Sequence, residues 1–287
     1  MSAVAAPNLA TGGQSKTAGV ERLTTVIPSV DQSWAMMLLP TVLSLIAGSC
    51  DVITFIGLDG LFTAHITGNL VILITRSVAG EHASMPHILS VPVFVAALGL
   101  TATLAVLLGR AGIASLRSLL ILQLLLLCGS FIVCVCSDAR IDPSDERALI
   151  AGMLAVSAMA VQNVIAHVSV RGMPSTAVMT TTVCRFVADF VALLSEPNRD
   201  LAAKAGLRAK RTAPVIIGFA VGCSLGAGCE IALGLWALAL PIGLAFIALA
   251  IGLARNDFER ADVGSHASHQ LRQRDQLTSR FQRRDEG

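Results

Sequence analysis

Charge is what this sequence has least of. Of its 287 residues 14% are charged and 54% apolar, and the mean hydropathy is +0.72. A soluble domain carries about 25% charged residues. Most of the chain therefore needs a solvent other than water. Other absences narrow the function. There is no GxxxxGK[ST], HExxH or GxSxG, so no ATP motor, zinc-protease helix or serine-hydrolase elbow is expected. No basic-aromatic surface points to nucleic acid. The seven cysteines, Cys50, Cys128, Cys134, Cys136, Cys184, Cys223 and Cys229, form no CxxC pair, and they read as small packing residues. No catalytic residue, metal or cofactor is expected, and an enzyme is not. The first 33 residues are polar, without the apolar core of a secretory signal.

What is present is a series of long apolar runs, near 34–58, 88–109, 118–137, 148–170, 214–235 and 236–254. Crossing the ~30 Å hydrocarbon core takes roughly 20 residues, and each run is that long or nearly so. The expectation is an all-α polytopic membrane protein with six long transmembrane helices. Two shorter runs, 62–80 and 175–194, are interrupted by polar residues. Depending on whether they cross or only dip in, there are six to eight spans. The expected parts are a flexible cytoplasmic tail (1–33), two membrane repeats (34–137 and 138–254) and a disordered cytoplasmic tail (255–287). With either span count, most Lys and Arg lie on the face that holds both termini, including seven arginines from Arg255 onward. Arg110, Arg117 and Arg171 lie opposite in the eight-span count. The positive-inside rule then places both termini in the cytoplasm of a bacterial inner membrane.

The two interrupted runs belong to an internal repeat. CDVITFIGLDGLFTAHITGNLVIL, from Cys50, aligns with QNVIAHVSVRGMPSTAVMTTTVCRF, from Gln162. Asp51-Val52-Ile53 lies over Asn163-Val164-Ile165, Gly60 over Gly172, and, with one residue inserted, Ile66–Asn69 over Met179–Thr182. In each copy a long span carries an acid or amide in its second half, a tight glycine turn follows, and a Thr-rich apolar segment turns back into the membrane. Matching broken segments in two halves point to a transporter-type site at the repeat interface. Four crossings per half would make the repeat parallel. Three crossings and a re-entrant segment would invert one half.

The stretch Gly48, Asp51, Phe62, Thr67, Gly68, Asn69 resembles the signature of the YoaK-like family of uncharacterised bacterial polytopic membrane proteins, and Gln162, Asn163 and the TAVMTTT of 176–182 are similar to its second feature. The resemblance covers roughly residues 35–254. It implies membrane placement and no established activity. Where the family pattern has Thr-Gly, this chain has Cys184-Arg185.

An ionisable group inside a bilayer costs about 2.5–3.5 kcal/mol or more, which makes it a functional candidate. Asp51 reads as a proton or cation site, as a partner for a buried arginine, or as an interfacial residue. Arg185 and Asp189 share a helix face and read as a local ion pair, or as an arginine free to reach Asp51 or an anion. His65 can exchange a proton near neutral pH, or sit at the membrane edge. Gly68 is expected to break the helix, with Thr67 and Asn69 satisfying the freed backbone. Gln162, Asn163 and Thr180 are the matching polar groups of the second half. Glu230 reads as a turn marker, and Gly218, Gly222, Gly226 and Gly234 as helix-packing residues.

The expected function is a secondary transporter or permease of a small solute. The pathway residues would be Asp51, His65, Thr67, Gly68, Asn69, Gln162, Asn163, Thr180, Arg185 and Asp189. The alternative is a non-transporting membrane partner or sensor acting through its cytoplasmic tail. Expected partners are the lipid bilayer and a small solute, with self-association left open.

Overall fold

The computed structural model describes residues 30–80, 85–135, 145–169 and 179–254. The expected tails, apart from residues 30–33 of the first, lie outside the described residues, as does the turn at Arg171 and Gly172. Among the described residues there is no strand. The helices are α1 (Val30–Gly57), α2 (Ile66–Val78), α3 (Met85–Arg110), α4 (Ser115–Val135), α5 (Glu146–Ser169), α6 (Met179–Ser195) and α7 (Arg199–Leu233). A 3-10 turn at Gly234–Leu238 follows, then a helix over residues 239–254, here α8. Apolar sequence becomes helix because only a helix bonds all its backbone groups within one segment, where lipid offers none.

Five stretches are long and apolar enough to cross a membrane: Met37–Gly57, Met85–Arg110, Ser115–Val135, Glu146–His167 and Arg199–Ala254. The protein is therefore a multi-pass membrane protein. The last stretch holds two of the expected runs. At Gly234 the backbone takes φ 60°, a left-handed conformation that suits glycine, and the chain reverses. Phe131 of α4 meets Trp236 and a Cβ on Gly252 would meet Leu120, so α8 runs back along α4.

Boundaries moved at the polar ends. α7 begins at Arg199, fifteen residues before the expected run at 214. Its first turns, RDLAAKAGLRAKR, are too charged to read as a span. They still make a helix of strong formers, capped by Asn198, whose side chain accepts from the amides of Asp200 and Leu201.

The centre of the bundle is α1 and α5. In each, 72% of the apolar stretch is buried, against 11% in α3. α1 and α7 run parallel in close contact. Gly218, Gly222 and Gly226 lie on the backbone of Thr41, Leu45 and Ser49 in turn, and the Ser44 hydroxyl donates to the Val215 carbonyl at 2.7 Å. A Cβ at Gly226 would sit 2.8 Å from the Ser49 oxygen, so these positions bring two backbones together. α4 and α5 are antiparallel, with Ser130 donating to the Ala151 carbonyl. α3 packs along α5, and α6 along α7.

The polar groups are inside. Ser49, Asp51, Thr54, Thr63, Asn69, Gln123, Gln162 and Glu230 are all buried, while Val95, Leu100, Leu107, Leu125, Ile132, Ile217, Val221 and Leu225 face outward. Lipid accepts the outward apolar side chains, and the buried polar ones must find partners within the protein.

Candidate functional site

Asp51 lies in the second half of α1, six residues before the end of its apolar stretch at Gly57, and is 2% exposed. Two turns later α1 ends at Gly57. Asp59 and Gly60 both take positive φ, 55° and 83°, a conformation that Asp and Gly tolerate best. The chain then doubles back, and Leu61–His65 descends beside α1 without helical structure.

Asp51 holds this descending strip. Its Oδ1 accepts from the Thr63 amide (2.8 Å), the Thr63 hydroxyl (3.0 Å) and the Ala64 amide (2.6 Å). Its Oδ2 meets His65 Nδ1. Two bare acceptors repel, so this contact holds a proton between them. One turn on, the Thr54 hydroxyl lies 2.9 Å from the Leu61 carbonyl. Asn69 of α2 ties the strip from the other side: its Oδ1 accepts from the Phe62 amide (2.8 Å) and its Nδ2 donates to the Phe62 carbonyl (2.7 Å). Side chains thus meet the Leu61 carbonyl, both Phe62 backbone groups and the Thr63 and Ala64 amides, which makes a non-helical strip tolerable at this depth.

α2 begins at Ile66 beside Asp51 and returns to the Gly57 end of the bundle. There Arg76 donates to both Asp59 carboxylate oxygens, at 2.6 and 3.0 Å. That forked contact holds the Asp59 carboxyl below the usual carboxylate range. His87, at the start of α3, contacts the Gly60 carbonyl at 3.2 Å. The segment 62–80 therefore dips in and leaves by the end through which it entered.

The break falls before Ile66, not at Gly68. Gly68 is in the first turn of α2, where a Cβ would lie 2.7 Å from the Phe62 ring. Its smallness is a packing need. Thr67 is exposed on α2 and takes no part in the network.

His65 joins the buried carboxylate to the outside of the protein. Its side chain is 31% exposed, and its ring packs edge-on against Phe219 of α7 at 5.3 Å. Its Nε2 has no hydrogen-bond partner among the described residues. A proton taken at one ring nitrogen can be given up at the other.

The second half looks different. Gln162 of α5 bridges three helices, donating to the Leu43 carbonyl of α1 (2.8 Å) and accepting from Gln123 of α4 (2.6 Å). Asn163, although aligned with Asp51, donates to the Met159 carbonyl of its own helix. Thr180 and Arg185 are exposed on α6. Asp189 does not pair with Arg185. It accepts from Arg208 of α7 at 2.7 and 2.8 Å, because α6 and α7 are antiparallel neighbours and Arg208 projects across their seam. The expected pathway residues thus fall into three places: Asp51, His65, Gly68 and Asn69 at the strip, Gln162 with Asn163 in the core, and Thr180, Arg185 and Asp189 on α6.

Several participants were not foreseen from the sequence: Thr54, Thr63, Gln123, and the Asp59–Arg76 pair. Asp59-Gly60 is a turn signal, but its distant arginine partner has none. No group of three His, Cys, Asp or Glu that could hold a metal ion occurs among the described residues.

Residues 39–251 match the family model described as "Protein of unknown function (DUF1275)". The chain belongs to this family. No curated protein matches the chain, and neither does any solved structure. The DUF1275 match takes in the whole strip from Asp51 to Asn69, Gln162 and Asn163, and α6.

Proposed function

We propose that the chain is a non-enzymatic secondary transporter of a small solute, with the Asp51–His65 pair as its proton-carrying element. The observation that carries this reading is the pair itself. A buried carboxylate shares a proton with a partly exposed imidazole, at a place where α1, the descending strip and α7 meet. Ionisable groups at such depth are expensive and most often mark ion pathways.

The arrangement of the two halves supports it. Ile66 and Met179, aligned in the sequence repeat, begin α2 and α6. Asn69 and Thr182, aligned in the same register, are the buried residues of those helices. α1 packs on α7 as α5 packs on α3, and α2 on α3 as α6 on α7. α2 returns to the Gly57 end, whereas α6, antiparallel to α7, ends at the opposite one, where α7 starts. In this reading the halves form an inverted repeat, each with three crossings and one re-entrant half-helix. The site lies at their interface, and both termini face the cytoplasm.

The test is single-cysteine labelling in a cysteine-free background at positions 63–70 and 179–183, in intact cells, with a membrane-impermeant thiol reagent. Reaction on one face of α2, deep in the segment, is expected. Uniform protection of both segments would sink the pathway and favour a partner or sensor role through the tail. Asp51→Asn keeps an oxygen for Thr63 and Ala64, so it should preserve membrane abundance while removing the shared proton.

A further inference from the structure

A second carboxyl is buried apart from this pair. Glu230 lies on α7, one turn before the helix ends at Gly234, and is 7% exposed. Its Oε2 has no hydrogen-bond partner among the described residues. Its Oε1 rests over Gly57, where a Cβ would lie 2.8 Å away, and the Leu235 side chain covers the same glycine. Leu235 packs in turn against an apolar cluster of Ile53 of α1, Cys134 of α4, Ala151 of α5, and Ala237 and Leu238 of the turn, as does Cys229.

The groups facing Glu230 decide its state. From α4, the titratable group in the adjoining apolar cluster is the Cys134 thiol. From α1, the contact is Gly57, and Asp51 is already engaged with Thr63, Ala64 and His65. The turn offers Leu235, Trp236 and two small or aliphatic residues. No described Lys, Arg or His neutralises Glu230. A bare carboxylate with one oxygen unsolvated and no cation beside it is not sustained in an apolar site; the group binds a proton instead. It lies one turn from a helix end and keeps 7% exposure there.

We propose that Glu230 is a proton-binding site: its carboxyl carries a proton at neutral pH and exchanges it with water at the Gly57 end of the bundle. This goes beyond the Asp51–His65 reading and stands without it. Loss of the proton would put an unpaired charge against Gly57 and Leu235, so the α1–α7 junction at this end would respond to pH.

Infrared spectroscopy of the full chain in lipid vesicles at pH 7 tests it. A protonated-carboxyl C=O band is expected, absent in Glu230→Gln and retained in Asp51→Asn. Carbon-13 glutamate in the native chain should shift the band, which assigns it even if the glutamine variant misfolds; Glu230 is the buried glutamate among the described residues. Transfer to D2O should lower its frequency. Absence of a glutamate band overturns the protonated state. A band unmoved by D2O overturns the exchange.

Discussion

The two short helices α2 and α6 are held by different kinds of chemistry. α2 is anchored through buried groups. Asp51, Thr54 and Asn69 satisfy the backbone of the strip that leads into it, and Arg76 clamps its far end. α6 is held along its seam with α7, by Leu193 against Gly206 and by the Asp189–Arg208 pair, whose arginine side chain is 60% exposed. Around α2 the contacts are buried hydrogen bonds, each costly to leave unmade. Along the α6 seam they are packing and a partly solvated ion pair, worth little individually. The strip beside α2 is therefore where single changes should matter more than at that ion pair.

Replacing Asp51 by Ala removes the acceptor for three donors and strands the Thr63 and Ala64 amides. At about 1–3 kcal/mol per buried unsatisfied group, the loss should be roughly 3 kcal/mol or more. A large drop in apparent melting temperature in detergent is expected, against a small one for Asp51→Asn. Equal drops would mean that the charge, not the oxygen, holds the strip.

Asn69→Leu comes next. It leaves the Phe62 amide and carbonyl unpaired, for about 2–6 kcal/mol by the same accounting. Protease cleavage within 61–65 should rise before global unfolding. Unchanged protection would show that the strip does not depend on α2.

Gly68→Ala pushes a methyl into the Phe62 ring, an overpacking cost of about 1–3 kcal/mol, eased by the companion change Phe62→Leu. If the companion change gives no rescue, Gly68 serves the backbone rather than the ring.

The smallest effect belongs to α6. Asp189→Asn should cost under about 1 kcal/mol, and raised salt should erase most of it. A cost as large as that of Asn69→Leu would end the contrast between the halves.

Asp59 adds a pH term. Its carboxyl is depressed in the folded protein by Arg76, so its contribution is fully present above the unfolded value of about 3.9. It is lost as pH falls through the folded one. Arg76→Gln should flatten that acid dependence by lowering the melting temperature at neutral pH, with the two proteins converging as pH falls through the folded value.

Much of this was legible in the chain. Long apolar runs with little charge mean membrane helices, because only length and hydropathy decide whether a helix can cross lipid. FTAHITGN, between TFIGL and LVILI, announced a polar break, and glycines spaced four apart on α7 announced a close helix contact. Those features are local, so the order of residues suffices to read them. Asp189 shows the limit: its i−4 neighbour Arg185 fitted the local rule, and its partner came from another helix. Likewise, the charged first turns of α7 hid a helix that continues through the membrane edge.

What the sequence alone determined is that the protein lives in a membrane, as helices, with two polar interruptions. The tertiary structure decided what those interruptions do. The reversal at Asp59-Gly60 brings residues 63–65 back against Asp51, α7 closes over His65 with Phe219, and Glu230 is left beside Gly57 without a partner. Charges buried in low dielectric take their state from whichever groups are within a few ångströms, and that neighbourhood exists only once the helices have packed.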